Sequence, residues 1–139
     1  MAVYLNISNK RQRKCWVKTW LKNRNRYGHL PLLHELRDNF PMDFRNYLRM
    51  DCESFQILLK LVSPIISKQD TKLRESISAE ERLTTTLRYL ATGRSFEDLK
   101  FSTGISAPSL CKIIPETCKA IYEVLRKTYL KVRLFVLLK

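Results

Sequence analysis

Apolar residues recur along this chain at intervals of three and four, and strict alternation is scarce, so the pattern predicts helices throughout. Trp16, Val17, Trp20 and Leu21 form a first stripe, with Lys14, Lys18 and Lys22 stacked four apart on the other side and Gly28 ending the helix. Leu32, Leu33 and Leu36 predict a short second helix, and Phe44, Tyr47 and Leu48 a third beyond Pro41. Asp51 is placed to cap a fourth, burying Phe55, Leu58, Leu59 and Val62 before Pro64 interrupts it. A polar stretch follows from Ser67 to Ser76. Ser78 with Glu81 is a capping-box pattern, opening a helix that should bury Leu83, Leu87, Leu90 and Ala91 and stop at Gly93. Pro115 with Glu116 should start or kink a last helix carrying Cys118, Ile121, Leu125 and Tyr129 on one side. Phe40, Phe44, Phe55, Phe96, Phe101, Tyr89 and Tyr122 sit at helical spacings and read as core.

Between the last two of these helices the turn positions change the picture. Ser95 can cap a short helix whose inward face is Phe96 and Leu99, Gly104 supplies a turn, and Ile105 can plug the angle between two helices. Ser106 then caps a second helix that buries Leu110, Ile113 and Ile114 and turns Ala107, Ser109 and Lys112 outward. That is a helix-turn-helix pattern, in which the second helix presents side chains to a major groove. One position departs from it. Four residues before the glycine, where many such turns carry a small residue, stands Lys100.

Charge then names a class of partner. The 139 residues carry a formal net charge of +13, a positive field suited to a polyanion. Eight basic residues and no acidic one lie between Lys10 and Arg26, namely Lys10, Arg11, Arg13, Lys14, Lys18, Lys22, Arg24 and Arg26. From Ser78 to Leu125, by contrast, Arg82, Arg88, Arg94, Lys100, Lys112 and Lys119 are matched by Glu80, Glu81, Glu97, Asp98, Glu116 and Glu123. Phosphate attraction should therefore come from the front of the chain. The plainer alternatives for that segment are a solvated surface or a nuclear-import signal, and for the helix-turn-helix an ordinary helix corner.

Other chemistries find less support. A chain of this length suits one helical domain or two small helical lobes. Cys15, Cys52, Cys111 and Cys118 contain no CxxC pair, and His29 and His34 lie five apart with no neighbouring cysteine, so buried free thiols in a reducing compartment are expected rather than a metal site. No early apolar run resembles a signal peptide, and the longest apolar stretches fall short of a membrane span. The stripe of the basic helix is only four residues wide, narrow for an interfacial membrane helix.

Two runs carry a family resemblance. Glu81 to Leu99 followed by Ile114 to Leu125 resembles the N-terminal region of Harbinger-type (PIF/Harbinger) transposases and of the nucleases derived from them. Trp16-Val17, Trp20-Leu21, Leu32 to Arg37 and Phe44 to Met50 are similar to the pattern that precedes that region in the same family, so the likeness spans about residues 11 to 131. The resemblance implies DNA as partner, a Myb-like protein that assists nuclear entry, and an RNase H-like domain whose acidic triad holds divalent metal. No residue here can be matched to that triad. In place of the passage into such a domain stands Val132-Arg-Leu-Phe-Val-Leu-Leu-Lys139, which suggests a truncated or aberrant tail.

The sequence thus predicts an all-α chain of about six or seven helices with a basic N-terminal helical lobe and a C-terminal helix-turn-helix lobe. The expected boundaries are residues 1–66, a polar linker 67–77, the helix-turn-helix region 78–131 and the tail 132–139. The expected function is DNA binding without catalysis or cofactor, in the nucleus, with Lys10, Arg11, Arg13, Lys14, Lys18, Lys22, Arg24 and Arg26 on phosphates and Ser106, Ser109 and Lys112 giving orientation. The alternative is an adaptor that docks a Myb-like partner and has no DNA site of its own.

Overall fold

Two four-residue helices, α1 (Thr19–Lys22) and α2 (Arg24–Tyr27), lead into α3 (His29–Asn39), α4 (Pro41–Leu48), α5 (Cys52–Ile66), α6 (Ala79–Thr92), α7 (Phe96–Thr103) and α8 (Ala107–Arg126) in this computed structural model. The structure describes residues 18–72, 75–126 and 129, so Lys10, Arg11, Arg13, Lys14, Trp16 and Val17, and the 132–139 tail, lie outside the described residues. All regular structure among the described residues is helical, as the periodicity predicted.

Caps fix most of the boundaries. The Asp51 side chain accepts from the Ser54 amide at 2.9 Å, and Pro41 occupies the first turn of α4, where its missing N–H leaves no bond unmade. At the start of α6 both halves of the capping box are formed: the Glu81 amide donates to Ser78 Oγ at 3.2 Å and the Ser78 amide to Glu81 Oε2 at 3.0 Å.

The central helix is α6, which packs against α4, α5, α7 and α8. Its residues Glu81 to Leu87 are buried without a break. Seven consecutive residues cover every face of a helix, so this one is enclosed on all sides. Three of them are threonines. Thr86 Oγ1 donates to the Arg82 carbonyl at 2.8 Å, whereas the hydroxyls of Thr84 and Thr85 have no partner among the described residues.

Two apolar clusters flank this helix. The larger joins Leu33, Phe44, Leu48, Phe55, Leu58, Val62 and Ile66 to Leu83, Leu87 and Ala120, with Phe44 and Phe55 edge to face at 5.7 Å. The smaller gathers Ile77, Leu99, Ile105, Leu110, Ile113 and Ile114. Since α6 and α8 bound both clusters, the front of the chain and the helix-turn-helix share walls.

Several expectations need correction. The first amphipathic helix is broken at Asn23 into α1 and α2. Pro64 does not interrupt α5, which runs two residues further because Ile66 is buried in the core; in the preceding turn Ser63 Oγ donates to the Leu59 carbonyl at 2.6 Å. Pro115 neither starts nor ends a helix: α8 is continuous through it, held by buried Ile113 and Ile114 before and Thr117 after. Leu90 and Tyr129 face solvent, Leu90 at 61% exposure, and so do Phe40, Phe101 and Tyr122. Of the described cysteines Cys111 is exposed; Cys118 is half-buried, and burial raises its thiol pKa.

His29 opens α3 inside the larger core, with no partner for either ring nitrogen among the described residues. Burial, helped by the nearby Arg88 guanidinium, lowers its pKa from the ordinary 6.5 to about 4. The unfolded chain therefore takes up a proton between those values that the folded chain refuses. Stability should fall by about 3 kcal/mol as pH drops through that window. Urea unfolding at pH 7 and pH 4.5 checks this, and His29→Leu should lose most of the slope whatever its absolute stability.

Candidate nucleic-acid interface

The helix-turn-helix is built from local hydrogen bonds. Ser95 Oγ accepts from the Asp98 amide at 3.2 Å to start α7, and Gly104 ends it at φ +67° in the left-handed region. Thr103 Oγ1 donates to the Leu99 carbonyl at 2.8 Å and accepts from the Ile105 amide at 3.2 Å, which directs Ile105 into the angle between α7 and α8. Leu99, Ile105, Leu110, Ile113 and Ile114 then meet in the smaller cluster, where the spacing placed them. Lys100, the departure from the usual turn, lies half-buried in α7, its ammonium over the Phe101 ring at 4.8 Å and paired with Glu97.

The basic front of the chain docks on this unit. Trp20 stacks on Phe101 with ring centroids 5.6 Å apart and 21° between planes. Arg24 reaches further in. Its Nε lies 2.9 Å from Glu81 Oε1, its Nη2 donates to the Ser76 carbonyl at 3.1 Å, and the two side chains are only 10% and 6% exposed. A Cβ on Gly104 would come within 3.0 Å of the Arg24 Cγ, and one on Gly28 within 3.3 Å of the Thr103 carbonyl oxygen. Both glycines therefore let backbone and side chain approach where a larger residue would hold α2 off α7.

Arg24, grouped above with the phosphate-contacting cations, is corrected accordingly: it is an internal anchor, its guanidinium committed to Glu81 and Ser76. Lys18, Lys22 and Arg26 remain exposed, with the Arg26 guanidinium 5.3 Å from the Tyr27 ring centroid. On α8 the expected outward set is only partly outward. Lys112 is exposed, whereas Ala107 and Ser109 are half-buried, and the Ser109 hydroxyl pairs with that of Ser106, the expected cap, at 2.8 Å.

What half-covers Ser109 is the loop expected to be a polar linker. Asp70 Oδ1 accepts from the Ser76 amide at 2.7 Å, closing the loop on itself and holding the Asp70 carboxyl below its usual pKa, and Ile77 plugs into the smaller cluster. Between loop and α8 lies a cleft of about 300 Å³ lined by Lys68, Glu75, Arg82, Ser109, Lys112 and Glu116, among others. On the outer side of the loop, Glu75 Oε2 accepts from Asn25 Nδ2 at 3.2 Å. Lys112 on one side, and Arg24 and Asn25 of α2 on the other, thus meet one loop.

Sequence reasoning passed over Glu81, Arg82 and Glu116 as sites. Arg82 is nearly buried, donates from Nε to the Ile77 carbonyl at 3.1 Å and from Nη1 to Glu116 Oε2 at 3.2 Å. The one usable signal was the capping box, which already placed Glu81 at a helix entrance. Among the described residues no three histidine, cysteine or acidic side chains converge as a metal site would require, and no helix is long and apolar enough to cross a membrane. Comparison with protein-family models, curated proteins and solved structures finds no match to this chain.

The Arg24–Glu81 pair should behave as a buried ion pair. Removing one partner, as in Glu81→Gln, leaves a desolvated charge and should cost about 3 kcal/mol in chemical denaturation. A double-mutant cycle with Arg24→Met should return a coupling above about 1.5 kcal/mol, and a value near zero would show that Trp20 and the glycines alone hold the segment in place.

Proposed function

We propose that this chain binds DNA, with the basic front supplying phosphate attraction and the helix-turn-helix giving orientation. The observation that carries the proposal is the run of eight cations without an acid between Lys10 and Arg26, whose described part is fastened beside α7 by Arg24, Trp20 and two close-approach glycines. Sequence-tolerant attraction needs exposed cations, and Lys18, Lys22 and Arg26 are exposed. Lys112 is the cation exposed in the first two turns of the helix that would enter a major groove. The resemblance to Harbinger-type transposases supports the same role, with the chain acting as a nuclear DNA-binding region that does no catalysis on its own.

A second reading, an adaptor for a Myb-like protein, draws support from α5. Ile57, Leu61 and Ile65 recur every four residues on its outer face and all are exposed. An apolar stripe of that kind suits a helical partner.

Binding of duplex DNA, followed by fluorescence anisotropy across salt concentrations, separates the two. With roughly five to eight phosphates engaged, the log-log slope should be about −4 to −7. Lys18→Ala, Lys22→Ala and Arg26→Ala together should flatten it by up to about three units and weaken all sequences alike, with stability changed by less than about 0.5 kcal/mol. Arg24→Ala should instead lower stability by about 3 kcal/mol. No binding at low salt would leave the adaptor. Lys112→Ala should keep the slope within about one unit and cost about 1–3 kcal/mol at preferred sites, the size of one base contact. Incubation of supercoiled plasmid with magnesium or manganese should give no nicking; nicking abolished by substitution of an Asp or Glu of this chain would overturn the non-catalytic assignment.

A further inference from the structure

We propose that the cleft between the 68–77 loop and α8 is a seat for one backbone phosphate of DNA, and that Glu116 fills it when DNA is absent. This rests on the DNA-binding function proposed above and adds to it a particular site and a built-in competitor.

Two cations meet one carboxylate oxygen of Glu116. Arg82 Nη1 lies 3.2 Å from Glu116 Oε2, Lys68 Nζ lies 3.9 Å from the same oxygen, and Lys112 stands one turn earlier on the same wall of the cleft with no ion pair among the described residues. The other acid of the lining, Glu75, accepts from Asn25 Nδ2 at 3.2 Å. Arg82 is the fixed member. Its side chain is 9% exposed, and its Nε is tied to the Ile77 carbonyl, which leaves Nη1 aimed into the cleft at a set position.

Glu116 is the member that a phosphate would displace, half-exposed on α8 and paired with Arg82 and Lys68. It can swing into solvent at small cost because its own helix does not depend on it. When it does, the cleft presents Lys68, a preoriented guanidinium edge and the Ser109 hydroxyl. Phosphate fits that set better than a carboxylate does, since its tetrahedral oxygens can reach the guanidinium and an ammonium at the same time. The cleft is lined by Lys112 and by Glu75, the partner of Asn25, beside the helix-turn-helix on which a duplex would lie.

Competition of this kind has a measurable sign. Glu116→Gln keeps an oxygen for Arg82 and removes the charge that the phosphate must displace. Anisotropy with a fluorescent duplex should show tighter binding by about three- to tenfold at low salt, the size of a nearby unit charge acting through a partly wet site. Glu123→Gln, the same charge change two turns further along α8, should alter affinity less than twofold. Adding Lys68→Ala to Glu116→Gln should cancel most of the gain, with circular dichroism confirming an unchanged fold.

If the parent chain binds DNA and Glu116→Gln does no better than Glu123→Gln, the phosphate seat is wrong and the wider function stands. If neither parent nor variant binds duplex at low salt, both fail together.

Discussion

One carboxylate, Glu81, holds the geometry on which the rest of the interface depends. Oε2 closes the capping box at Ser78 and so starts the central helix; Oε1 meets Arg24 and so fixes the basic segment. The two jobs reinforce each other. A glutamate already immobilised by a cap loses little further side-chain freedom in accepting an ion pair, which improves a contact whose desolvation would otherwise consume most of its Coulombic gain. Arg24 then passes the constraint on, because its stem lies against Gly104 and its Nη2 holds the loop at Ser76. Through two side chains, the entrance of α6, the turn of the helix-turn-helix, the 68–77 loop and the first basic helices acquire a common position.

How much of this was visible in the sequence depends on how local the cause is. Caps act within four residues, and Asp51, Ser78 with Glu81, and Ser95 were all recognisable by type and spacing. The core of the helix-turn-helix followed from periodicity for the same reason. Arg24 was not separable from Lys22 and Arg26, since nothing within the run distinguishes a cation that turns inward; its partner Glu81 lies more than fifty residues away. The burial of Thr84, Thr85 and Thr86 could not be read from the segment, because it is imposed by α4, α5, α7 and α8 closing around α6, a property of topology. That Pro115 lies inside α8 rather than at its start has a related reason. A proline costs one backbone hydrogen bond and a clash, and burial of Ile113, Ile114 and Thr117 on either side outweighs that where the ring itself faces solvent.

The continuity of α8 changes how the two halves of the chain relate. Its first turns carry Leu110, Ile113 and Ile114 into the smaller cluster, and its later turns carry Ala120, Ile121, Val124 and Leu125 against the larger one. Two jointed helices could have let the helix-turn-helix swing relative to the front of the chain. One helix embedded in both clusters does not. Lys112 is therefore carried on a rod clamped by both cores, and its position relative to the exposed cations of α1 and α2 is set twice, once through α8 and once through Arg24.

That double constraint bears on how DNA would be engaged if it is the partner. A flexible basic tail gains its affinity from counterion release and has no preferred register. Cations fixed relative to a groove-entering helix also impose an angle and a spacing, because phosphates and base edges can be met together only at one docking pose. The near-neutral charge of the helix-turn-helix is then an advantage. A strongly basic reading helix would be pulled onto any nearby phosphate, whereas one held by packing and balanced by Glu97, Asp98 and Glu116 leaves coarse attraction to the front of the chain and keeps Lys112 for the groove. The cost of the arrangement is a single cation, Arg24, withdrawn from the surface so that its neighbours are presented at a defined angle.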